Sequence, residues 1–402
     1  MKRTLRVLFA VLFIGFSLAS LHALDFGMIT NGELDVIGAD KTDVSGKITL
    51  GPWLSVPLNF GPGEGEFYFS PGLYMNLAEK SIIAPELFRL EFSYRPSRIF
   101  SFRAGRFSWA EPTRLAARGR FDGAELLFNF GKVRLSLSAL YTGLLFKDTS
   151  DISVSPSDTK DYNAPFEWSN FADSYFAPRR LLATLYGEFP GFPSGRGRLY
   201  AGVMGQFDLS GADEKFNTQY LLLRHSLVYK VFDLSLAGVF ELENTEAGGL
   251  KTAFALALDA GWQLPGKIVD RLSLGFTWAS GDASTAAFFP VVREPQSFVL
   301  KPVLSGMMAI KATYEARLLP SLAAELGALY FIRTDSTTFS APYLENDSYA
   351  LGAEIDARLL WVPFSDLSFT LKGGIFIPKT GAAWADDAPV RWRINAGITF
   401  SI

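Results

Sequence analysis

Side chains that could act as a general base are scarce in this 402-residue sequence. It contains two histidines, His22 near the N-terminus and His225, and no cysteine, which excludes disulfides, thiolate nucleophiles and thiolate metal sites. We find no G-x-S-x-G, H-E-x-x-H or P-loop motif. His225 follows Arg224 and falls on the apolar side of its segment. We therefore expect neither an enzyme nor a cofactor or metal site.

The remaining candidate chemistry is ionic, because arginines and carboxylates recur at alternate positions along the chain. In segment 390–402, even positions are apolar and odd positions are polar, charged or glycine. Alternation, together with one motif described below, predicts the following inward-facing charged residues: Arg89, Glu91, Arg103, Arg106, Glu125, Arg134, Arg180, Arg224, Glu354, Asp356, Arg358, Arg391 and Arg393. Bases and acids are nearly balanced on these faces, which favours cross-strand ion pairs that brace a wall. A dedicated substrate-binding band is the alternative.

The elements that carry these residues are β-strands, because a period of two over about ten residues indicates a strand with one apolar face. About eighteen such segments occur, and about ten residues is the length that crosses a bilayer as a tilted strand. Their centres lie near residues 32, 53, 70, 90, 103, 125, 138, 184, 202, 224, 238, 257, 275, 310, 328, 355, 371 and 396. We predict an all-β fold, a transmembrane antiparallel up-and-down β-barrel of about 18 strands (16–18). A soluble sandwich or propeller is the alternative.

In such a barrel the apolar faces point to lipid and the charged faces line a wet interior. We expect the final segment to run to the chain end because it closes the barrel against the first strand. At the other end, Met1–Arg6 is basic and residues 7–21 are almost wholly apolar, the pattern of a secretory signal peptide. We therefore predict a signal peptide over 1–23 and a barrel over 24–402. The location would be the outer membrane of a diderm bacterium, with lipid and the barrel-assembly machinery as partners.

The connections between strands carry a second signal. From the fourth strand onward short and long connections alternate, as in outer-membrane barrels with short periplasmic turns and long extracellular loops. The predicted long loops are 109–119, 146–177, 280–299, 334–347 and 378–389. A barrel this wide leaves an aqueous channel unless something plugs it. Loops 146–177 and 280–299 are the candidates, and each either folds inward or remains an exposed surface loop.

One motif goes further than periodicity. Segment 102–107, F-R-A-G-R-F, is followed by an arginine-containing loop and by F-D-G-A at 121–124. This pattern resembles the alginate-export-type family of outer-membrane porins, in which a glutamine usually stands where Phe107 is found. The resemblance implies an eighteen-stranded barrel that passes an anionic polysaccharide or a small solute by diffusion. It also implies that Arg103, Arg106 and Arg120 are lumen or loop bases.

Two functions follow from this fold. The first is a porin-like channel for passive passage of small hydrophilic or anionic, saccharide-type solutes. The alternative is a non-conducting surface barrel that acts through its loops as an adhesin or structural protein. Most of the predicted loops are short, which favours transport. The net charge of −3 gives no basic footprint for nucleic acid.

Overall fold

The computed structural model describes residues 24–402 except 62, 79–80, 156, 194, 246–248, 267, 283–284 and 345–347. The predicted signal peptide lies outside the described residues. The described residues form eighteen strands: β1 Asp25–Gly38, β2 Thr42–Phe60, β3 Gly63–Leu77, β4 Ile82–Arg95, β5 Phe100–Ala110, β6 Arg118–Asn129, β7 Arg134–Tyr141, β8 Arg180–Pro190, β9 Gly197–Asp208, β10 Phe216–Tyr229, β11 Phe232–Thr245, β12 Gly249–Gln263, β13 Val269–Ala279, β14 Met307–Leu319, β15 Leu322–Arg333, β16 Ala350–Phe364, β17 Leu367–Ile377 and β18 Arg391–Ser401. Every centre predicted from the sequence falls within one of them.

The strands pair antiparallel in chain order, and the sheet closes on itself. β1 pairs with β18 from Ile29 opposite Ser401 to Gly38 opposite Trp392. This register confirms the predicted up-and-down barrel and explains why the terminal alternation continues to the end of the chain. Because the last strand hydrogen-bonds to the first, both edges of the sheet are satisfied.

Side chains alternate between an exposed outer face and an inner face. On β10, Leu221 is 55% and Leu223 is 53% exposed, whereas Leu222 between them is buried. An outer surface this apolar is stable where hydrocarbon covers it. His225 lies on the same outer face, where its ring is 3.2 Å from the carbonyl oxygen of Phe192.

Short and long connections lie at opposite ends of the barrel. The start of β1, the end of β18 and the tight connections, such as 230–231, 320–321 and 365–366, lie at what we call the turn end. The opposite, loop end carries the connections 111–117, 142–179, 280–306, 334–349 and 378–390. The predicted alternation fails at one place, since β11 ends at Thr245 and β12 begins at Gly249. Gly249 has a φ of +70°, which a tight turn requires and which glycine adopts at little cost.

Between residues 24 and 402, the helices of the described residues are short pieces. These are α1 Lys147–Ser150, α2 Phe171–Ser174 and single 3-10 turns at Trp168–Asn170 and Pro378–Thr380. None of the helices in the described part of the chain is long and apolar enough to span a membrane.

Loops 111–117 and 280–306 fold into the barrel at the loop end. They share a buried apolar cluster with the wall and with loop 142–179. Its larger members are Phe107, Trp109, Phe121, Leu140, Leu182, Met204, Tyr220, Leu222 and Val239 from the wall, Leu145 and Ile152 from loop 142–179, and Phe288, Val291, Val292 and Leu304 from loop 280–306, with the partly buried Leu115 of loop 111–117 packed against them. Burying one such side chain stabilises by about 1.5–3 kcal/mol. Loop 280–306 is therefore part of the folded interior. It is also longer than predicted, because residues 300–306 remain irregular before β14.

Loop 142–179 also folds inward; besides joining that cluster through Leu145 and Ile152, it packs on a second part of the wall. Its aromatic side chains Phe146, Phe166 and Tyr175 pack on Tyr74 of β3 and Ala84 of β4. The rings of Phe146 and Tyr175 are stacked, with centroids 4.7 Å apart. The sequence left open whether the two candidate plug loops fold inward or remain exposed surface loops. In the structure both fold inward.

The wall is interrupted between β4 and β5. These strands pair only from Leu90 opposite Arg106 to Tyr94 opposite Phe102, and they separate toward the loop end. Gly105 lies at the point of separation with a φ of +115°, and a Cβ there would be 2.0 Å from the Leu90 carbonyl oxygen. A side chain is thus excluded at this position, and we call the interruption the β4–β5 seam.

Side chains replace the missing strand pairing along the seam. The β4 carbonyl oxygens at positions 83, 85 and 87 accept hydrogen bonds from Trp168 Nε1 (3.0 Å), the Tyr175 hydroxyl (2.7 Å) and Arg106 Nη1 (3.1 Å). Unpaired carbonyls are costly away from water, so these donors stabilise the open edge. Two of the three belong to loop 142–179, which therefore completes the wall as well as narrowing the interior.

Candidate functional site

The three inward loops meet through backbone hydrogen bonds in the barrel interior. The Val291 amide donates to the Ala116 carbonyl oxygen (2.7 Å), and the Ser153 amide donates to the Val291 carbonyl oxygen (2.9 Å). The Arg293 amide donates to the Asp151 carbonyl oxygen (2.7 Å). These bonds hold the loops in one arrangement and place Asp151 and Arg293 next to each other where the interior is narrowed.

A cavity of about 620 Å³ adjoins this junction, between the β5–β6 hairpin and loop 142–179. Its lining includes Arg103, Arg118 and Arg120, together with Asp151. Three guanidinium groups against one carboxylate give the lining a positive character. Such a cavity suits a small solute that carries a carboxylate.

Each of these arginines also has a carboxylate partner of its own. The pairs are Arg103 with Glu125 (2.7 Å), Arg118 with Glu294 (3.0 Å) and Arg120 with Glu86 (3.2 Å). The partner fixes the guanidinium in place, while its remaining N–H groups stay available for hydrogen bonds. The side chains of Arg103 and Arg120 keep 27% and 23% of their surface exposed.

The charges of four cations act on the Asp151 carboxyl, and we call these cations the basic rim: Lys47, Arg293, Lys301 and Arg120. Burial raises the pKa of the Asp151 carboxyl above its ordinary 3.8, and the charges of the basic rim act against that rise. All four cations act on Asp151, but Arg120 is also paired with Glu86, Asp148 interacts with Lys47, and Asp35 interacts with Lys301 and pairs with Arg393. Five cations, counting Arg393, then face four carboxylates, which leaves a small excess of positive charge where the loops narrow the interior. This arrangement favours anions over cations.

Among the rim cations, Lys301 has a clear shift in pKa. Burial lowers the pKa of its amino group below the ordinary 10.5, and the charges of Arg393 and Lys47 act in the same direction. The carboxylates of Asp35 and Asp151 oppose this shift. Lys301 therefore loses its charge more readily on alkalinisation than a solvated lysine does.

The charged residues predicted to face the interior mostly form pairs along the wall. The pairs are Arg89 with Glu91 (2.8 Å), Arg103 with Glu125 (2.7 Å), Arg134 with Glu188 (3.5 Å), Arg358 with Glu325 (3.9 Å), Asp356 with Lys372 (3.8 Å) and Arg393 with Asp35 (2.6 Å). Arg224 reaches the Pro112 carbonyl oxygen (3.1 Å), and Arg391 lies over the Trp384 ring at 4.9 Å. This pattern is the bracing expected from the balance of bases and acids.

Burial separates these residues into three groups. Glu91, Arg106, Glu125, Arg180, Glu354 and Asp356 are buried. Arg89, Arg103, Arg224, Arg391 and Arg393 are half-buried, and Arg134 and Arg358 are exposed. The second and third groups have surface with which to contact a solute, whereas the first group holds the wall and the loops together.

Arg106 departs most from its expected place. It is 4% exposed and lies at the β4–β5 seam, where it donates to both carboxylate oxygens of Asp122 and to the carbonyl oxygens of Leu87 and Leu144. The R-x-G-R and F-D-G segments thus meet as Arg106 opposite Asp122 and Gly105 opposite Gly123. This part of the motif shapes the wall.

Arg180 fastens loop 142–179 to the wall. Its guanidinium pairs with Asp208 of β9 (2.7 Å) and with Asp158 of the loop, and it donates to the Ser155 hydroxyl (2.7 Å). Arg180 is 1% exposed. Breaking a buried pair of this kind leaves an uncompensated charge, which makes the connection strong.

Sequence reasoning missed three members of the basic rim, Lys47, Arg293 and Lys301. Lys47 lies on β2, one of the least regular predicted strands, and the other two lie in loop 280–306. Alternation assigns a face only within strands, so it says nothing about loop residues. The apolar content of that loop, with Phe288, Phe289 and the neighbouring valines, was the available signal that it turns inward.

The chain matches no protein-family model, and a search of curated proteins finds no relative. Solved structures are similar in fold. OccK2 (OpdF) of Pseudomonas aeruginosa in complex with glucuronate has a TM-score of 0.64 at 13% identity, covering 96% of this chain and 98% of the other. OccK5 (OpdH) of the same organism has 0.62 at 13%, covering 96% and 99%, and OccD3 (OpdP) has 0.53 at 13%, covering 94% and 91%. The chain therefore has the porin-like eighteen-stranded barrel fold.

Proposed function

We propose that this protein is an outer-membrane channel for passive passage of small hydrophilic solutes, with a preference for anions such as saccharide acids. The observation that carries the proposal is the basic rim around Asp151, inside an eighteen-stranded barrel whose loops narrow its interior. A net positive constriction raises the local concentration of anions and lowers that of cations.

The fold neighbour that holds glucuronate supports the solute class. Glucuronate combines a carboxylate with sugar hydroxyls. The cavity beside the rim offers Arg103, Arg118 and Arg120 for the carboxylate, and the Ser108, Thr149 and Ser150 residues for the hydroxyls. These groups are complementary to a small sugar acid.

The same proposal includes the location and processing of the chain. An apolar outer face, charged inner residues and closure by the terminal strand suit the outer membrane of a diderm bacterium. Residues 1–23 would then be the signal peptide for export and 24–402 the mature barrel. Lipid and the barrel-assembly machinery would be its partners, and we assign it no catalytic role and no nucleic-acid ligand.

Membership of the alginate-export-type family stays a prediction. Arg103 and Arg120 line the cavity as that resemblance implies, but Arg106 is buried at the β4–β5 seam. The paired acids of the wall and the inward loops favour a small solute over a polyanion.

Recording from the purified mature protein in planar bilayers tests the proposal. We expect stepwise ohmic conductance. In a KCl gradient, the reversal potential should be shifted toward the chloride equilibrium potential. Uptake into proteoliposomes should be faster for glucuronate than for glucose, a matched neutral sugar. Electrically silent, folded protein would reject the channel and leave the adhesin alternative.

A further inference from the structure

Glu354 holds loop 280–306 by its carboxylate. It accepts hydrogen bonds from the amides of Phe298 (2.9 Å), Val299 (2.8 Å) and Leu300 (2.9 Å), and from the Ser297 hydroxyl (2.9 Å). Glu354 is completely buried on β16. Three successive amides that converge on one carboxylate form a nest, in which hydrogen bonds to an ionised acceptor are strong.

The wall around Glu354 is shaped to receive the same segment. The Phe298 ring has Lys372 at 4.4 Å and Arg393 at 4.6 Å, and Arg393 also donates to the Phe298 carbonyl oxygen (3.0 Å). Gly374 leaves the space, because a Cβ there would be 2.9 Å from Val299 Cγ2. The 297–300 segment is therefore anchored through its amides, a carbonyl and a ring at once.

Lys301 follows this anchored segment directly. Its amide donates to the Ser297 hydroxyl oxygen (3.2 Å), the same hydroxyl that donates to Glu354. Lys301 has a φ of +53°, so the chain turns sharply here. Its charge acts on Asp151 and on the neighbouring rim residue Lys47. The position of Lys301 thus depends on the contacts that Glu354 makes with segment 297–300.

We propose that Glu354 is a positioning residue that sets the charge preference of the channel by holding Lys301 in the basic rim. The inference rests on the function proposed above. The change in anion preference that it predicts is opposite to the change expected from charge alone. Simple electrostatics says that removing a carboxylate from the interior increases anion preference. If Glu354 instead positions Lys301, its neutralisation releases the loop, disperses the rim charge and decreases anion preference.

The test is the reversal potential of single channels in a KCl gradient. Glu354→Gln keeps the shape of the side chain, but its NH2 group faces amide donors and the nest is lost. The anion-to-cation permeability ratio should fall by about twofold, the effect of one unit charge about 8 Å away in water when screening by about 0.1 M salt is included. Lys301→Gln should lower the ratio similarly, and the double variant should add little to either single change.

Glu325→Gln is the matched control, because Glu325 faces the interior from β15 toward the turn end and pairs with Arg358. It should leave the ratio unchanged or raise it. Ser297→Ala should give a smaller fall and serves as the test if Glu354→Gln does not fold.

A ratio that rises or stays constant in folded Glu354→Gln, or in Ser297→Ala in its place, would overturn the role of Glu354 while leaving the channel proposal intact. Wild-type protein that does not conduct would overturn both proposals. A double variant whose ratio falls by the product of the two single changes would also count against positioning, since Glu354 and Lys301 would then act independently.

Discussion

Arg106 and Asp122 lie opposite each other on β5 and β6, and the guanidinium donates to both carboxylate oxygens, at 2.8 and 2.7 Å. The same guanidinium reaches the β4 strand and loop 142–179. One side chain therefore ties together three parts of the barrel at the place where β4 and β5 are unpaired. The motif that suggested a channel base instead supports the wall.

Arg106→Gln should accordingly destabilise the barrel by about 3–5 kcal/mol, because Asp122 and the seam carbonyls lose their partner away from water. Urea unfolding in lipid vesicles measures this. Arg134→Gln removes a largely exposed arginine that is 3.5 Å from Glu188 and should cost less than about 1 kcal/mol. If the two variants lost the same free energy of unfolding, the pair of Arg106 with Asp122 would have no special role in stability.

Outer and inner faces should respond oppositely to charge, and two neighbouring residues of β13 allow the comparison. Leu274 is on the outer face and 58% exposed, whereas Ser273 faces inward. Leu274→Arg should cost about 2–4 kcal/mol in a bilayer, and Ser273→Arg much less. Folding yield and stability in vesicles provide the measurement. If Leu274→Arg cost no more than Ser273→Arg, the outer face would not be in contact with hydrocarbon.

Asp151→Asn should increase anion preference, because it removes the one carboxylate enclosed by the basic rim. The anion-to-cation permeability ratio should rise by about twofold. Asp233→Asn, which removes a carboxylate paired with Arg271 at 2.7 Å nearer the turn end, is the control. If both variants change the ratio equally, total interior charge and not the rim determines selectivity.

Anion preference should also rise as the pH falls from 7 toward 4. Burial raises the pKa of both Asp148 and Asp151 above 3.8, so these carboxyls take up protons at a higher pH than solvated aspartates do. Protonation removes negative charge from the narrowed interior while the rim cations stay charged. The increase should be smaller in Asp151→Asn, and an identical pH profile in that variant would argue against the assignment.

Arg180→Met should loosen loop 142–179, because Asp158 and Asp208 lose their cation. Limited proteolysis of folded protein should then cut within 159–173, where wild type is resistant. Arg198→Met removes a wall arginine that pairs with Glu188 at 3.1 Å and touches no loop, and it should leave the cutting pattern unchanged. Cutting of wild type at the same rate would mean that the loop is not fastened by Arg180.

Period-two alternation was sufficient for the barrel. In a strand such as β18, the residue pattern alone predicts which face is inner and which is outer, because a strand in lipid has only two environments. Arg391 and Arg393 face inward, and Ile394 faces outward. Closure by the last strand and the inward direction of the wall charges followed from the same rule.

The functional site was harder to predict from the sequence than the barrel. Arg103 was found because it obeys alternation, but Arg106 was misplaced, since the local separation of β4 from β5 at Gly105 gives it a buried position. Glu354 was predicted to face the interior, yet its contact with the 298–300 amides depends on a loop more than fifty residues away in sequence.

The sequence by itself determined which side chains meet lipid and which meet water, because strand geometry repeats every two residues and needs no distant information. Only the tertiary structure decided which charges remain available to a solute. That outcome depends on where loops 142–179 and 280–306 settle, and their positions are fixed by contacts such as those of Arg180 and Glu354 with residues far along the chain.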